Sequence, residues 1–219
     1  VLRIHGYDNI PMVPLPGNKQ RFTSVLSPTQ QRTRQTRRAL AASGLQEVVT
    51  WSFMKQKKAQ QFGGNNEALL LTNPISEDLN MMRPSIIPNL LDTIKKNSDR
   101  GYPDTGFFEQ GLIYHSPAPQ DQINVFATVR AGNTAPKNAF HTERAIDVYD
   151  AKADALTALK AAGAPVDNVQ IEPKAPAWYH PGKSGTIRLG KQILATFGEL
   201  HPRYRKDYSL KQNVVASEI

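Results

Sequence analysis

Few side chains in this sequence have the type and spacing that chemistry requires. Pro181-Gly182-Lys183-Ser184 has the end of a phosphate loop. Such a loop also needs a glycine five residues before Gly182, where this chain has Ala177. It needs a helix after the serine, whose amides hold the phosphates, but Thr186-Ile187-Arg188-Leu189 reads on as a strand. A nucleophile elbow fails at the same place, because Thr186 stands where glycine is required. The histidines, His5, His115, His141, His180 and His201, are at least 21 residues apart, so no two share a metal from one helix or strand. Cysteine is absent, which removes thiolate ligands, disulfides and thiol nucleophiles. His180, in Trp178-Tyr179-His180-Pro181-Gly182, reads as a hydrogen-bonding residue of a packed turn, with a general base as the alternative. Glu109 shares a strand face with Phe107 and Ile113. A carboxylate there must be paired, protonated or at an edge. It reads as an ion pair with an arginine (Arg83, if the strands adjoin) or as an acid–base group. The residues alone assign no catalytic, cofactor-binding or metal-ligating set.

The basic side chains are the other resource. The 219 residues carry a net charge of +8. No acid occurs between Asp8 and Glu47, a stretch that holds Lys19, Arg21, Arg32, Arg34, Arg37 and Arg38. Charge of this sign permits contact with a polyanion without specifying one. The four arginines fall on a predicted helix. Ser27 suits its N-cap, Pro28 its first position and Gln30 the reciprocal cap, with the end near Ser43 and Gly44 in the left-handed position beyond. At 100° per residue Arg34, Arg37 and Arg38 share one sector and Arg32 lies roughly opposite. Few large apolar residues precede Leu40, so this is no ordinary core helix. Its arginines are either a solvated face or a contact with a partner subunit or RNA.

The elements that would position these residues are legible in outline. Residues 1–26 are rich in proline and glycine and read as an extended connector from an upstream domain; residues 27–219 read as the folded domain. Glu47–Phe53 and Ala68–Leu71 are expected as strands, and Lys55–Phe62 as a short helix. A second helix follows Ser85, with Ile86, Ile87, Leu90, Leu91 and Ile94 on one apolar stripe. Phe107–Tyr114 and Ile123–Arg130 are expected as strands, Asp150–Ala162 as a helix, and Thr186–Leu189 with Gln192–Phe197 as a hairpin across Gly190-Lys191. Asn213–Ile219 is strand-like. The order argues an α+β domain on a mostly antiparallel sheet. Hydrophobic residues at 39% and charged residues at 21% exclude a disordered chain. No apolar run is long enough to span a bilayer, no secretory signal opens the chain, and the lack of cysteine suits a reducing cytoplasm. The chain reads as a piece of a longer polypeptide.

Five segments, in order, resemble the β subunit of bacterial phenylalanyl-tRNA synthetase: Arg3–Pro11, Asn73–Ser85, Phe108-Glu109-Gln110-Gly111, Trp178–Gly185 and Phe197–Pro202. The resemblance implies a class II aminoacyl-tRNA synthetase-like antiparallel sheet flanked by helices, with a degenerate active site. In that family the α subunit activates phenylalanine with ATP and Mg2+, and the enzyme is an (αβ)2 heterotetramer acting on tRNA(Phe). The resemblance places the helix Ser27–Ser43 as an interface helix. It also makes Met81–Pro84 and Phe107–Ile113 the strands flanking the second class II motif. The third motif, a glycine-rich run ending in an arginine on the ATP phosphates, has no counterpart after Phe197. Adenylate formation by this chain alone is therefore not expected, and ATP and Mg2+ belong to the holoenzyme. What remains is a structural and subunit-interface module, or alternatively a basic module that contacts tRNA without catalysis.

Overall fold

The computed structural model describes residues 1–14, 17, 24–135, 139 and 144–219. Lys19, Arg21 and His141 lie outside the described residues. The chain opens with a helical turn, α1 (Leu2–His5), which buries nothing. Helix α2 (Pro28–Ala42) follows, started as its sequence dictates: the Ser27 side chain accepts from the Gln30 amide, and the Gln30 side chain accepts from the Ser27 amide. It ends in a Schellman turn. Gly44, at φ +83°, donates to the Ala41 carbonyl, and Leu45 donates back to Leu40, which it also packs against.

The strands are β1 (Gln46–Glu47), β2 (Phe53–Met54), β3 (Met81–Met82), β4 (Thr105–Tyr114), β5 (Gln122–Ala131), β6 (Gln170–Glu172), β7 (Tyr179–Leu189), β8 (Gln192–Leu200) and β9 (Val214–Glu218). The helices between them are α3 (Gln56–Gln61), α4 (Ile87–Ser98), α5 (Val148–Ala161) and α6 (Pro202–Asp207). Seven strands form one sheet in the order β1-β4-β5-β9-β8-β7-β6, antiparallel throughout except for β1 beside β4. β2 and β3 form a separate ribbon.

Alternation along the strands divides the side chains between two layers. Phe107, Ile113, Val125, Ala127, Val129, Val214 and Ala216 meet the apolar stripe of α4, whose Ile87, Leu90, Leu91 and Ile94 are fully buried with the preceding Ile86. Each such side chain contributes about 1.5–3 kcal/mol. The opposite face packs under α2 and α5 through Leu40, Phe108, Phe126, Ala155, Ala158, Phe197 and Val215. A buried Thr128–Ser217 hydroxyl pair, 2.7 Å apart, joins β5 to β9 within this second layer. Arg130 on β5 holds the layer together. It forks onto Asp154 of α5 at 2.7 and 2.8 Å and donates to the Ser43 carbonyl at the end of α2.

Four expectations need correction. Glu47–Phe53 is not one strand: β1 and β2 are two residues each, because Thr50 between them turns inward to hydrogen bond with Glu109. Ala68–Leu71 is a 3-10 turn (Glu67–Leu69) capped by Asn66, with only Leu70 bridging to Met81. Met81–Pro84 is not a strand of the main sheet: only Met81 and Met82 are strand, paired with β2, and the segment meets the end of β4 where the Arg83 carbonyl accepts from the Tyr114 amide. The Trp178–Gly182 segment is not a turn, since β7 begins at Tyr179 and runs on to the tight hairpin at Gly190.

Candidate functional site

Two places bring side chains together beyond the needs of the core. The first is the outer face of α2. Of its fifteen residues only Thr36 and Leu40 are buried. Arg34, Arg37 and Arg38, with Ala41 and Glu47, line a shallow hollow of about 240 Å3. Arg37 forks onto Glu47, with Nε 2.7 Å and Nη2 2.9 Å from the two carboxylate oxygens, and this contact raises its pKa further. Arg34 and Arg38 are exposed and make no hydrogen bond or ion pair among the described residues. Arg32, also exposed, does not line the hollow. The basic face thus has one anchored guanidinium and two free ones. Beyond Glu47 alternate residues turn outward: Val49 is 90% exposed and Trp51 66%, the latter on the wall of a groove of about 510 Å3 that also holds Lys55, Lys58 and Lys96. The reading from sequence grouped the arginines correctly but passed over Val49 and Trp51. Inside a presumed strand, alternation assigns them no more than the outer side.

The second place lies on the α4 side of the sheet. Arg83 and Glu109 are buried and paired at 2.7 Å; Arg83 Nε also donates to the Leu112 carbonyl, and its Nη1 donates to Thr50 Oγ1. Thr50 donates in turn to Glu109. A Cβ at residue 111 would collide with Arg83 Nη2, so Gly111 is what lets the guanidinium lie across β4. Glu109 is therefore a structural ion-pair partner, with both carboxylate oxygens hydrogen bonded.

Beside this network is a cavity of about 450 Å3. Its walls include Phe62, Ile113, Val125, Trp178 and Ile193, and Glu218, Thr196 and His115 supply polar groups. Glu218 and Thr196 stand opposite each other in the β9–β8 register. Glu218 Oε1 accepts from Ser85 Oγ and from the Ile86 amide, both at 2.9 Å, and desolvation raises its pKa despite those two donors. Sequence reading missed this acid, although the signal that flagged Glu109 applies to it: it shares the face of Val214 and Ala216. The cavity does not fit a nucleoside triphosphate. Its charged lining residue is a carboxylate, and no arginine or lysine lines it. Among the described residues no group of three or more histidine, aspartate or glutamate side chains could hold a metal ion. His180 Nδ1 accepts from the Gly182 amide, and His201 Nδ1 accepts from the Arg203 amide at the start of α6, so both rings serve the backbone.

A family model described as the phenylalanyl tRNA synthetase beta chain CLM domain matches residues 15–219. The chain belongs to this family. It is 47% identical over all 219 residues to a protein of Rhodospirillum rubrum named phenylalanine–tRNA ligase beta subunit, and 45% identical to the one of Paramagnetospirillum magneticum. The chain spans 27% of the length of each. Among solved structures it is similar to a pyrrolysyl tRNA synthetase of Desulfitobacterium hafniense, with a TM-score of 0.64 at 15% identity, over 86% of this chain and 64% of that one. This likeness is one of fold, and it identifies the antiparallel sheet with its flanking helices as the class II aminoacyl-tRNA synthetase architecture. No helix among the described residues is long and apolar enough to cross a membrane.

Proposed function

We propose that this chain is a non-catalytic, structural and subunit-interface module of a phenylalanine–tRNA ligase β subunit. In this reading it supports aminoacylation of tRNA(Phe) by an α subunit within a cytoplasmic (αβ)2 heterotetramer. Residues 27–219 are the module and residues 1–26 the connector to what precedes it. ATP and Mg2+ act elsewhere in the holoenzyme. The observation that carries the reading is the outer face of α2, where Arg34 and Arg38 are exposed and unpaired among the described residues; Val49 and Trp51, past β1, are exposed as well. Arginine and tryptophan are among the residues that protein interfaces concentrate.

The test is co-purification. Arg34→Glu with Arg38→Glu in the full-length β subunit is expected to abolish co-elution with α while leaving the melting temperature of β unchanged. Unimpaired co-elution would overturn the interface assignment. The second reading, contact with tRNA, rests on the same two free guanidiniums. It predicts intact co-elution and a tRNA affinity that is weaker and less salt-dependent in the double variant.

A further inference from the structure

The cavity between β5, β8 and Trp178 has a composition that the interface reading does not use. Its volume of about 450 Å3 falls within the roughly 300–1,000 Å3 of small-molecule sites. Its walls are apolar, and Ile123 and Ile193 at its rim remain 44% and 59% exposed. Against these walls stand polar atoms without partners. Trp178 Nε1 is buried and donates to nothing. Tyr179, only 2% exposed, has its Oη close to the Thr196 and Trp178 side chains without a well-formed hydrogen bond to either. Glu218 Oε1 already takes two donors, and Oε2 takes none among the described residues. Buried polar groups left unpaired are costly and rare; of these three residues, Trp178 and Glu218 line the cavity and Tyr179 stands behind Trp178 and Thr196.

We propose that this cavity binds a small uncharged molecule with an apolar body and a carboxamide head. The head must match two demands at once. An indole N–H can only donate, so it requires an acceptor on the ligand; a carboxylate oxygen can only accept, so it requires a donor. A carboxamide supplies both from one planar group. A carboxylate ligand would face the Glu218 charge, and an ammonium would leave Trp178 unanswered. Phe62, Ile113, Val125 and Ile193 then enclose the body of the ligand. The site goes beyond the interface reading and requires no reaction.

Benzamide is the probe, titrated by ligand-observed NMR against the full-length β subunit in its native complex. Benzoate, benzylamine and toluene serve as comparators. Saturable binding of benzamide, tighter than that of all three comparators, is expected. Trp178→Phe keeps the ring stacked on Phe62 and removes only the N–H; it should weaken benzamide about tenfold, the equivalent of one hydrogen bond to a buried donor. Ile193→Trp places a larger side chain at the exposed rim, where the fold has room for it, and should abolish binding with the melting temperature unchanged. The proposal is overturned by the absence of saturable binding or by a comparator that binds more tightly than benzamide. Affinity that survives Ile193→Trp overturns it as well, because that binding belongs to another site of the complex. None of these results bears on co-elution with α, so the interface reading stands or falls separately.

Discussion

Arg83 illustrates how one side chain joins segments far apart in sequence. It leaves the Met81–Ser85 run, crosses above Gly111, and meets Glu109, Thr50 and the Leu112 carbonyl. A buried ion pair adds little net stability when complete, yet leaving one partner alone is costly. Arg83→Met should therefore destabilise the fold by about 3–5 kcal/mol, and Arg83→Met with Glu109→Leu should recover a large part of that loss. Urea denaturation of the two variants measures both; equal midpoints would refute the coupling. Glu218 gives a second, pH-dependent case. Desolvation raises its folded-state pKa above the unfolded value, so folding takes up a proton. Its contribution to stability is complete below the unfolded pKa and is lost as pH rises through the folded one. Glu218→Gln keeps an acceptor for Ser85 and Ile86 without the charge. The variant should melt above wild type near pH 7.5 and converge with it as pH falls toward about 4. A gap that widens on acidification would contradict the sign.

Among the elements, those ruled by local chemistry were legible and those ruled by the sheet were not. Ser27, Pro28 and Gln30 state the start of α2, and Gly44 its end, because caps and left-handed turns draw on a few adjacent residues. The hairpin at Gly190 and the apolar stripe of α4 are legible for the same reason. Glu47–Phe53 has the alternation of a strand, yet whether alternation becomes a ladder depends on the edge that β4 presents, and the chain is drawn off it at Thr50. The arginine face needed only a helical wheel. The cavity needed Phe62, Trp178, Thr196 and Glu218, from four separate stretches, so no window of sequence contains it. The local rules also make a prediction. Gly44 sits at φ +83° with open space around its Cβ position, so Gly44→Ala introduces backbone strain and no clash. The expected cost is about 1 kcal/mol, read as a lower thermal midpoint. An unchanged midpoint would mean that the turn is not held in the left-handed conformation.

For the whole molecule, the proposed interface makes two contributions to association that differ in physical range, one from Arg34 and Arg38 on α2 and one from the exposed Trp51. Exposed guanidiniums act over a Debye length and chiefly set how often partners meet, whereas an apolar side chain acts only in contact and sets how long they stay. Among the described residues Arg34 and Arg38 make no ion pair, whereas Arg37 is paired with Glu47 in the same hollow. Substituting Arg34 and Arg38 by alanine should therefore slow association with the α subunit and flatten its dependence on salt, with dissociation little changed. Arg37→Ala should do less to the rate, since its charge is already answered within the chain. Trp51→Ala should leave association intact and speed dissociation by about tenfold or more, as expected for a tryptophan at the centre of an interface. Stopped-flow mixing of full-length β subunits with α over a series of salt concentrations reads both constants. If the arginine substitutions changed only the dissociation rate, these side chains would be making close contacts and the long-range role would be wrong; if Trp51→Ala changed neither constant, the exposed ring would lie outside the interface.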